Sequence, residues 1–257
     1  MDIEKHKKKF GTQAENYTKY RLPYGEEVYN FFFSLIPPDS TKILDIACGT
    51  GKSTEPLLRS SMQIFGVDHD PLMIREAEKQ ASIKNLDIHY SIADAEHLPF
   101  EDEYFDAITV GTAFHWFAND VTLAEIKRVM KKESPLFVFW TLTTKDVPEE
   151  DSIPGDIFRK FNWEKVPSEL RDLDYISDLF KKQDLVSVST KRFPFTYTSS
   201  VEERVGLMKT ASSYEILSEA DKESFIQEIT DALTRNLGNR PHFTYEEEIQ
   251  VVYGFKP

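Results

Sequence analysis

The stretch ILDIACGTGKST, from Ile43 to Thr54, constrains the fold more than any other part of this 257-residue chain. Its first four residues are largely apolar and predict a short strand. Two glycines, Gly49 and Gly51, follow where the chain must reverse, and glycine tolerates the positive φ that such a turn needs. The next residues predict a helix over about 52–60. The first N–H groups of a helix have no partner within it, so they can hold a polar or anionic group.

Three kinds of nucleotide-binding loop contain such glycines. A P-loop needs a glycine five positions before Gly51, where this chain has Ile46. A dinucleotide loop, G-x-G-x-x-G, needs a glycine where this chain has Thr54, so that the helix packs closely beneath a pyrophosphate. The third kind binds S-adenosylmethionine (SAM) in class I methyltransferases, and Asp45–Gly51 (DIACGTG) resembles it closely. That family often has a glycine in place of Ala47, and an ordinary strand-to-helix turn remains the alternative.

The composition limits the partners that we expect. The formal net charge is −13, and affinity for nucleic acids comes mostly from neutralised phosphates, so we expect no nucleic-acid binding. No stretch approaches the roughly 20 apolar residues of a membrane span. The single cysteine, Cys48, excludes an internal disulfide and fits a reducing compartment. We therefore expect a cytoplasmic protein that folds as a single domain over 1–257, a monomer or homodimer that uses a small-molecule substrate.

A carboxylate ends the second predicted strand, which covers residues 63–68. Asp68 lies seventeen positions after Gly51, close to the roughly 20 that separate a glycine loop from a ribose-binding acid. One carboxylate can accept hydrogen bonds from both ribose hydroxyls. Asp70 and Pro71 already provide the N-cap and first residue of the next helix, so Asp68 is not needed as a cap. We predict that Asp68 binds a ribose.

The segment after the third predicted strand extends the resemblance to class I methyltransferases. ADAEHLPF, at 93–100, is similar in order and spacing to a family segment in which an Asp meets the adenine amino group. The resemblance therefore implies that Asp94 binds adenine with help from the Ala95 backbone. The whole region that resembles the family covers about 42–117. The other residues for which the resemblance implies cofactor contact are Asp45, Ala47, Cys48, Gly49, Gly51 and Thr112.

The loop after the fourth predicted strand should face the transferred methyl group. Ligands of doubly wound sheets bind at the carboxyl ends of the strands, and GTAFHWF, at 111–117, follows the strand at 105–110. The His-Trp pair in it resembles a subgroup that includes trans-aconitate methyltransferase-like enzymes. We predict that His115 binds the substrate or acts as a general base, and that Trp116 contacts the substrate or cofactor. A histidine that only holds the loop is the alternative.

Aromatic residues at helical spacing fill the N-terminal segment 10–38, and a proline, Pro23, divides it. The segment resembles one that folds over the cofactor as a lid in many class I methyltransferases. Tyr17 and Arg21 are the best candidates for cofactor contact, because Arg21 can pair with the carboxylate of SAM. Aromatic residues that only pack the helices onto the sheet are the alternative.

A second accessory segment, 194–240, predicts two helices, over about 199–217 and 221–237. It resembles a helical cap that the same methyltransferase subgroup inserts before its last strand. In that subgroup a stretch like the one around Tyr214 faces the active site, so Tyr214 is a candidate for substrate contact. Packing within the cap is the alternative for this side chain.

Together these features predict a class I methyltransferase fold, an α/β Rossmann-like doubly wound sheet of seven mostly parallel strands with helices on both faces. The resemblance implies the strand order 3-2-1-4-5-7-6, with the last strand antiparallel. The predicted reaction transfers a methyl group from SAM to an oxygen atom of a small molecule, and this oxygen belongs to a carboxylate or a hydroxyl group. A non-catalytic SAM-binding module and an NAD-dependent oxidoreductase are the alternatives. The six histidines show no metal-ligand spacing, so we expect no metal.

Overall fold

The structure is a computed structural model, and it describes residues 10–59, 61–143, 152–163 and 172–257. Within these ranges the strands are β1 (Lys42–Ile46), β2 (Gln63–Asp68), β3 (Ile88–Ile92), β4 (Ala107–Gly111), β5 (Pro135–Thr143), β6 (Val186–Ser199) and β7 (Phe243–Phe255). The α-helices there are α1 (Ala14–Tyr20), α2 (Glu26–Leu35), α3 (Pro71–Lys84), α4 (Asp120–Val129), α5 (Gly155–Lys160), α6 (Leu173–Lys182), α7 (Val201–Lys209), α8 (Ser212–Glu215) and α9 (Glu219–Leu237).

The strands form one sheet in the order β3-β2-β1-β4-β5-β7-β6, as predicted. The pairs β3–β2, β2–β1, β1–β4 and β4–β5 are parallel. At the far end of β7, the Glu133 N–H donates to the Lys256 carbonyl (2.8 Å), and the Lys256 N–H donates to the Ser134 carbonyl (3.1 Å). The end of β7 therefore lies beside the beginning of β5, as antiparallel neighbours require.

The central strands are buried on both faces, which explains their nearly continuous apolar sequences. Leu44 of β1 and Ile108 of β4 are fully buried. Helix α2 packs against β5, with the Phe32 and Phe137 rings 5.3 Å apart at an edge-to-face angle. Burying a side chain such as Phe32 stabilises the fold by about 1.5–3 kcal/mol. Helix α4 adds an apolar stripe of its own, as its spacing predicts.

The chain divides into two compact units. The cap unit contains the described residues of 10–22, 142–163 and 194–248, and the sheet unit contains those of 23–141, 172–193 and 249–257. The cap unit has its own apolar core around Phe225 and Ile229, both fully buried. The organisation of the whole chain as a single domain stays a prediction.

The helix predicted over 52–60 is wrong. Residues 51–54 form turns, and only a short 3-10 helix, Glu55–Leu57, follows before the chain becomes extended at Leu58. Pro56 has no N–H to donate to the preceding turn, so an α-helix that began at residue 52 could not run through this position. The hydroxyl groups of Ser53 and Thr54, just before it, are hydrogen-bonded to a buried carboxylate, as described below for the site.

The N-terminal helices differ from the prediction only in their limits, whereas one predicted cap helix is divided into two. Residues 10–38 contain α1 and α2, with an extended stretch around Pro23 between them. In the cap, the helix predicted over 199–217 is divided into α7 and α8, because the chain becomes extended at Ala211. Strand β6 continues to Ser199, directly before Ser200, the N-cap of α7.

Candidate functional site

The glycine loop leaves the end of β1 in a left-handed backbone conformation. Ala47 and Gly49 both have φ of 54°, and Gly51 has φ of 85°. The turn closes because the Gly51 N–H donates to the Cys48 carbonyl (2.9 Å). A left-handed residue with a side chain costs about 1–2 kcal/mol, which explains why a glycine is favoured at the position of Ala47.

Asp45 holds the loop from beneath. Its fully buried carboxylate accepts hydrogen bonds from the hydroxyls of Ser53 (2.7 Å), Thr54 (2.6 Å) and Thr109 (3.0 Å). Burial raises the pKa of the Asp45 carboxyl to about 6, against the lowering effect of these three hydrogen bonds. The hydroxyls tie β1, the turn after Gly51 and β4 together. A direct contact between Asp45 and a cofactor stays a prediction.

The raised pKa makes stability depend on pH. An acid whose pKa is higher in the folded state contributes stability that is present below pH 3.8 and is lost as pH rises through about 6. We expect the unfolding free energy of the wild type, relative to Asp45→Asn, to fall by about 1 kcal/mol between pH 5 and pH 7.5. Urea unfolding of both proteins at the two pH values measures this difference. A difference that stays constant, or grows with pH, would contradict it.

Asp68 ties the end of β2 to the glycine loop. Its carboxylate accepts from the backbone N–H groups of Gly49 (2.9 Å) and Asp70 (2.9 Å), and the ring of His69 lies 3.3 Å away. Asp70 caps α3 by accepting from the Leu72 N–H (2.8 Å), as predicted. The Asp68 carboxylate is therefore held at the carboxyl end of β2 by two main-chain donors. Its ribose role stays a prediction.

The end of β3 adds an exposed apolar side chain beside this carboxylate. Ile92 is the register partner of Asp68 and is 58% exposed. Asp94 follows with an exposed side chain, and its carbonyl accepts from the His97 N–H (3.0 Å) in a turn that leaves Ala95 half-buried. Ile92 was missed by sequence reasoning, since its pattern is that of an ordinary strand residue.

A salt-bridged pair on α4 holds the segment after that turn. The guanidinium of Arg128 donates to the carbonyls of Leu98 (3.0 Å) and Phe100 (2.8 Å), and it pairs with Glu125 (2.8 Å). Glu125 accepts in turn from the Leu98 N–H (2.7 Å). The hydrogen bond from Arg128 is the chief reason that the pKa of the Glu125 carboxyl is lowered. Glu125 and Arg128 thus hold residues 98–100 through main-chain groups.

The loop after β4 carries the predicted His-Trp pair in a 3-10 turn. His115 is 6% exposed, and its ring centre lies 4.7 Å from that of Trp116. Thr112, the first residue beyond β4, has φ of 55° and donates its N–H to the Phe139 carbonyl (2.7 Å). Its hydroxyl lies 2.7 Å from that of Tyr24, a residue that sequence reasoning missed.

Tyr90 of β3 supports the glycine loop from the side. A Cβ placed on Gly51 would lie 2.4 Å from its hydroxyl oxygen, and one placed on Gly66 would lie 2.7 Å from its ring. Burial raises the pKa of the Cys48 thiol well above its usual range, so Cys48 is a neutral, buried side chain within the loop. Any residue larger than glycine at 51 would therefore require Tyr90 or the loop to shift, whereas a Cβ at Gly49 would have open space around it.

Three predicted site residues belong to the cap unit. Arg21 lies over the ring of Tyr17, with 5.1 Å between guanidinium carbon and ring centre. Tyr214 is buried in the core of that unit beside Phe225, with 6.2 Å between ring centres. Next to it, the Glu215 carboxylate accepts from the Thr12 hydroxyl (2.5 Å). Cofactor contact by Tyr17 and Arg21, and substrate contact by Tyr214, stay predictions.

The remaining predicted residues all lie in the sheet unit, in or just after the carboxyl ends of four neighbouring strands. This is the edge at which doubly wound sheets bind ligands. These residues are Asp45, Ala47, Cys48, Gly49, Gly51, Asp68, Asp94, Ala95, Thr112, His115 and Trp116.

In the described part of the chain, no helix has the length and apolar character that crossing a membrane needs. The described residues likewise contain no group of three or more His, Cys, Asp or Glu placed to hold a metal ion.

Comparisons with known proteins agree with this geometry. A type 11 methyltransferase family model, described as a methyltransferase domain, matches residues 44–138. The chain is 28% identical over 252 residues to an uncharacterized methyltransferase-like protein of Schizosaccharomyces pombe, a match that covers 96% of this chain and 92% of that protein. The region that the family model matches contains the glycine loop, Asp68, Asp94 and the His-Trp loop.

Solved structures share the fold. A protein described as a type II methyltransferase from Anaeromyxobacter dehalogenans superimposes with a TM-score of 0.66 at 20% identity, covering 92% of this chain and 97% of its own. Phosphoethanolamine N-methyltransferase 2 of Haemonchus contortus, solved with SAM, superimposes with a TM-score of 0.57 at 15% identity, covering 96% of this chain and 57% of its own. The methyltransferase domain matched over 44–138, the methyltransferase-like relative and the shared fold together support a class I SAM-dependent methyltransferase.

Proposed function

We propose that this methyltransferase acts on an oxygen, carboxylate or hydroxyl, of a small-molecule acceptor. The observation that carries the proposal is the position of His115, buried in the loop after β4 at the carboxyl edge of the sheet. An imidazole there can accept a proton from a hydroxyl, or donate a hydrogen bond to a carboxylate. The sequence His115-Trp116 in this loop is the feature that resembles trans-aconitate methyltransferase-like enzymes.

The donor set at the edge of the sheet fits SAM. A Cβ at Gly49 would have open space around it, so the glycine loop leaves room beside its backbone for the amino-acid end of the cofactor. Asp68 is held where it can accept from a ribose diol. Ile92 offers an apolar surface and Asp94 an acceptor for the adenine amine. We assign the residues of the loop, Asp68, Asp94, the Ala95 backbone and Thr112 to cofactor binding.

SAM supplies a methyl group that is already activated by its sulfonium, so the protein mainly has to align the acceptor and exclude water. The nature of the acceptor then decides what His115 does. A hydroxyl must lose a proton, and His115 would accept it. A carboxylate is already ionised, and His115 would only orient it. Trp116, half-buried beside the imidazole, restricts the ring of His115 and shields it from water.

Asp68→Ala should weaken SAM binding by about 1–3 kcal/mol, because the ribose hydroxyls would lose a charged acceptor. Isothermal titration calorimetry measures the affinity. Asp87→Ala is the matched control, because Asp87 is an exposed carboxylate directly before β3. The Asp87→Ala protein should bind SAM as tightly as the wild type. Equal affinities for all three proteins would show that the ribose lies elsewhere.

A panel of acceptors tests the proposed function. The protein is incubated with methyl-labelled SAM and small molecules in matched sets, in which one skeleton carries a carboxylate, a hydroxyl or an amine. We expect labelled product from carboxylate or hydroxyl members. Turnover restricted to the amines would overturn the choice of oxygen. Tight SAM binding without turnover of any member would overturn the proposal of a small oxygen acceptor.

We further propose that the protein is cytoplasmic, and that it acts as a monomer or homodimer without nucleic acid or membrane partners. The single, buried Cys48 and the net charge of −13 support this proposal. Cell fractionation and light scattering of the purified protein measure location and mass. A larger assembly or a membrane-bound fraction would contradict it.

A further inference from the structure

A pair of hydroxyl groups lies at the carboxyl end of β4. One belongs to Thr112, for which the resemblance implies cofactor contact, and the other belongs to Tyr24, to which the resemblance gives no role. The hydroxyl oxygens of Tyr24 and Thr112 are 2.7 Å apart, a short and well-formed hydrogen bond. Tyr24 comes just before α2, and its ring packs edge-on against Phe139 with 4.7 Å between centres. The tyrosine is therefore anchored on β5, and its hydroxyl reaches the neighbouring strand end.

Thr112 needs such a support because its backbone is strained. It has φ of 55°, and a β-branched residue in this region is a genuine outlier. Its N–H donates to the Phe139 carbonyl (2.7 Å), so Phe139 and Tyr24 hold it from two sides. Relaxing φ to a negative value would turn the following residues, which include His115, away from their present direction.

We propose that Tyr24 is a positioning residue for SAM binding, which acts by holding Thr112 in its left-handed conformation through the hydroxyl pair. The inference rests on the proposed assignment of Thr112 to the cofactor. It adds a residue from the N-terminal segment to the SAM site and gives that residue a fixed, supporting role. The left-handed backbone at Thr112 sets the position of its hydroxyl and the direction of the following loop, and both would bind the cofactor.

Double-mutant titrations of SAM test the proposal without any acceptor. Tyr24→Phe and Thr112→Val each remove one hydroxyl, and each should weaken SAM binding about fivefold. Because both substitutions break the same hydrogen bond, the double variant should also lose only about fivefold, whereas independent effects would give about 25-fold. Thr112→Ser keeps the hydroxyl and should bind within about twofold of the wild type. Tyr175→Phe, at a 42% exposed tyrosine of α6, is the control and should bind unchanged.

All affinities are measured at a temperature where circular dichroism shows each variant to be folded. Loss of affinity without loss of folded protein is a result that a purely structural role for Tyr24 would not produce. An unchanged affinity in Tyr24→Phe, or additive losses in the double variant, would overturn the proposal. Failure of the acceptor panel would leave these titrations interpretable, because they need only SAM.

Discussion

His115→Ala should lower kcat by about 10²–10⁴ on a hydroxyl acceptor, the range that general base catalysis typically contributes. The imidazole is buried in the loop after β4, so water does not readily replace it. On a carboxylate acceptor the same substitution should act differently, since no proton has to be removed. There the loss should appear mainly as a higher KM, with kcat nearly preserved. Initial rates with labelled SAM over a range of acceptor concentrations separate the two cases.

His115→Gln refines the test. Glutamine keeps a hydrogen-bond donor but is no base, so it should restore the KM for a carboxylate and should not restore kcat for a hydroxyl. His242→Ala, at an exposed histidine of the cap unit, is the matched control and should leave both constants unchanged. If His115→Ala were as active as the wild type on every accepted substrate, His115 would be a structural histidine that only holds the loop.

Gly51→Ala should destabilise the protein by at least about 2 kcal/mol and abolish measurable SAM binding. The alanine would keep a φ of 85°, a strain of about 1–2 kcal/mol, and its Cβ would lie 2.4 Å from the Tyr90 hydroxyl oxygen. Either the far end of the Tyr90 side chain or the loop backbone must shift to relieve this contact, and a shift of the backbone would disturb the glycine loop that we assign to the cofactor. Urea unfolding gives the loss of stability, and calorimetry gives the loss of affinity.

Alanine substitutions at two further glycines separate the cost of backbone strain from the cost of the contact with Tyr90. Gly49 has φ of 54° with open space around an added Cβ, so Gly49→Ala should show the strain alone, about 1–2 kcal/mol. Gly25 also has open space and an ordinary φ of −62°, so Gly25→Ala should cost less than about 1 kcal/mol. An equal loss of stability in Gly49→Ala and Gly51→Ala would show that Tyr90 does not restrict the loop.

Tyr90→Phe should partly rescue Gly51→Ala. It removes the oxygen at 2.4 Å and leaves the nearest ring carbon at 3.2 Å from the new Cβ. The Tyr90 hydroxyl is buried beside the hydroxyl of Thr54, which already donates to Asp45, so Tyr90→Phe alone should change stability by less than about 1 kcal/mol. The stability of the double variant, compared with the two single variants, measures the coupling. If the two substitutions show no coupling in stability, contact with the Tyr90 hydroxyl is not what destabilises Gly51→Ala.

Much of the sheet could be predicted because its signals are local. Apolar strands such as β1 and the cap of α3 by Asp70 and Pro71 are encoded by a few adjacent residues. The helix expected after Gly51 failed for a reason that is also partly local, since Pro56 prevents it. What the pattern did not reveal is that Ser53 and Thr54 turn toward Asp45.

The sequence by itself determined the ligand class, because the glycine loop, Asp68, Asp94 and the His-Trp loop follow one another at family spacing. Only the tertiary structure decided how these residues are supported. Asp45 accepts from Thr109, 64 positions away, and Tyr24 meets Thr112, 88 positions away. Such contacts depend on which strands become neighbours in the sheet and on which side chains are left to fill the space between them. A pattern of adjacent residues carries no record of that pairing, so the supporting hydroxyls emerge only once the chain is folded.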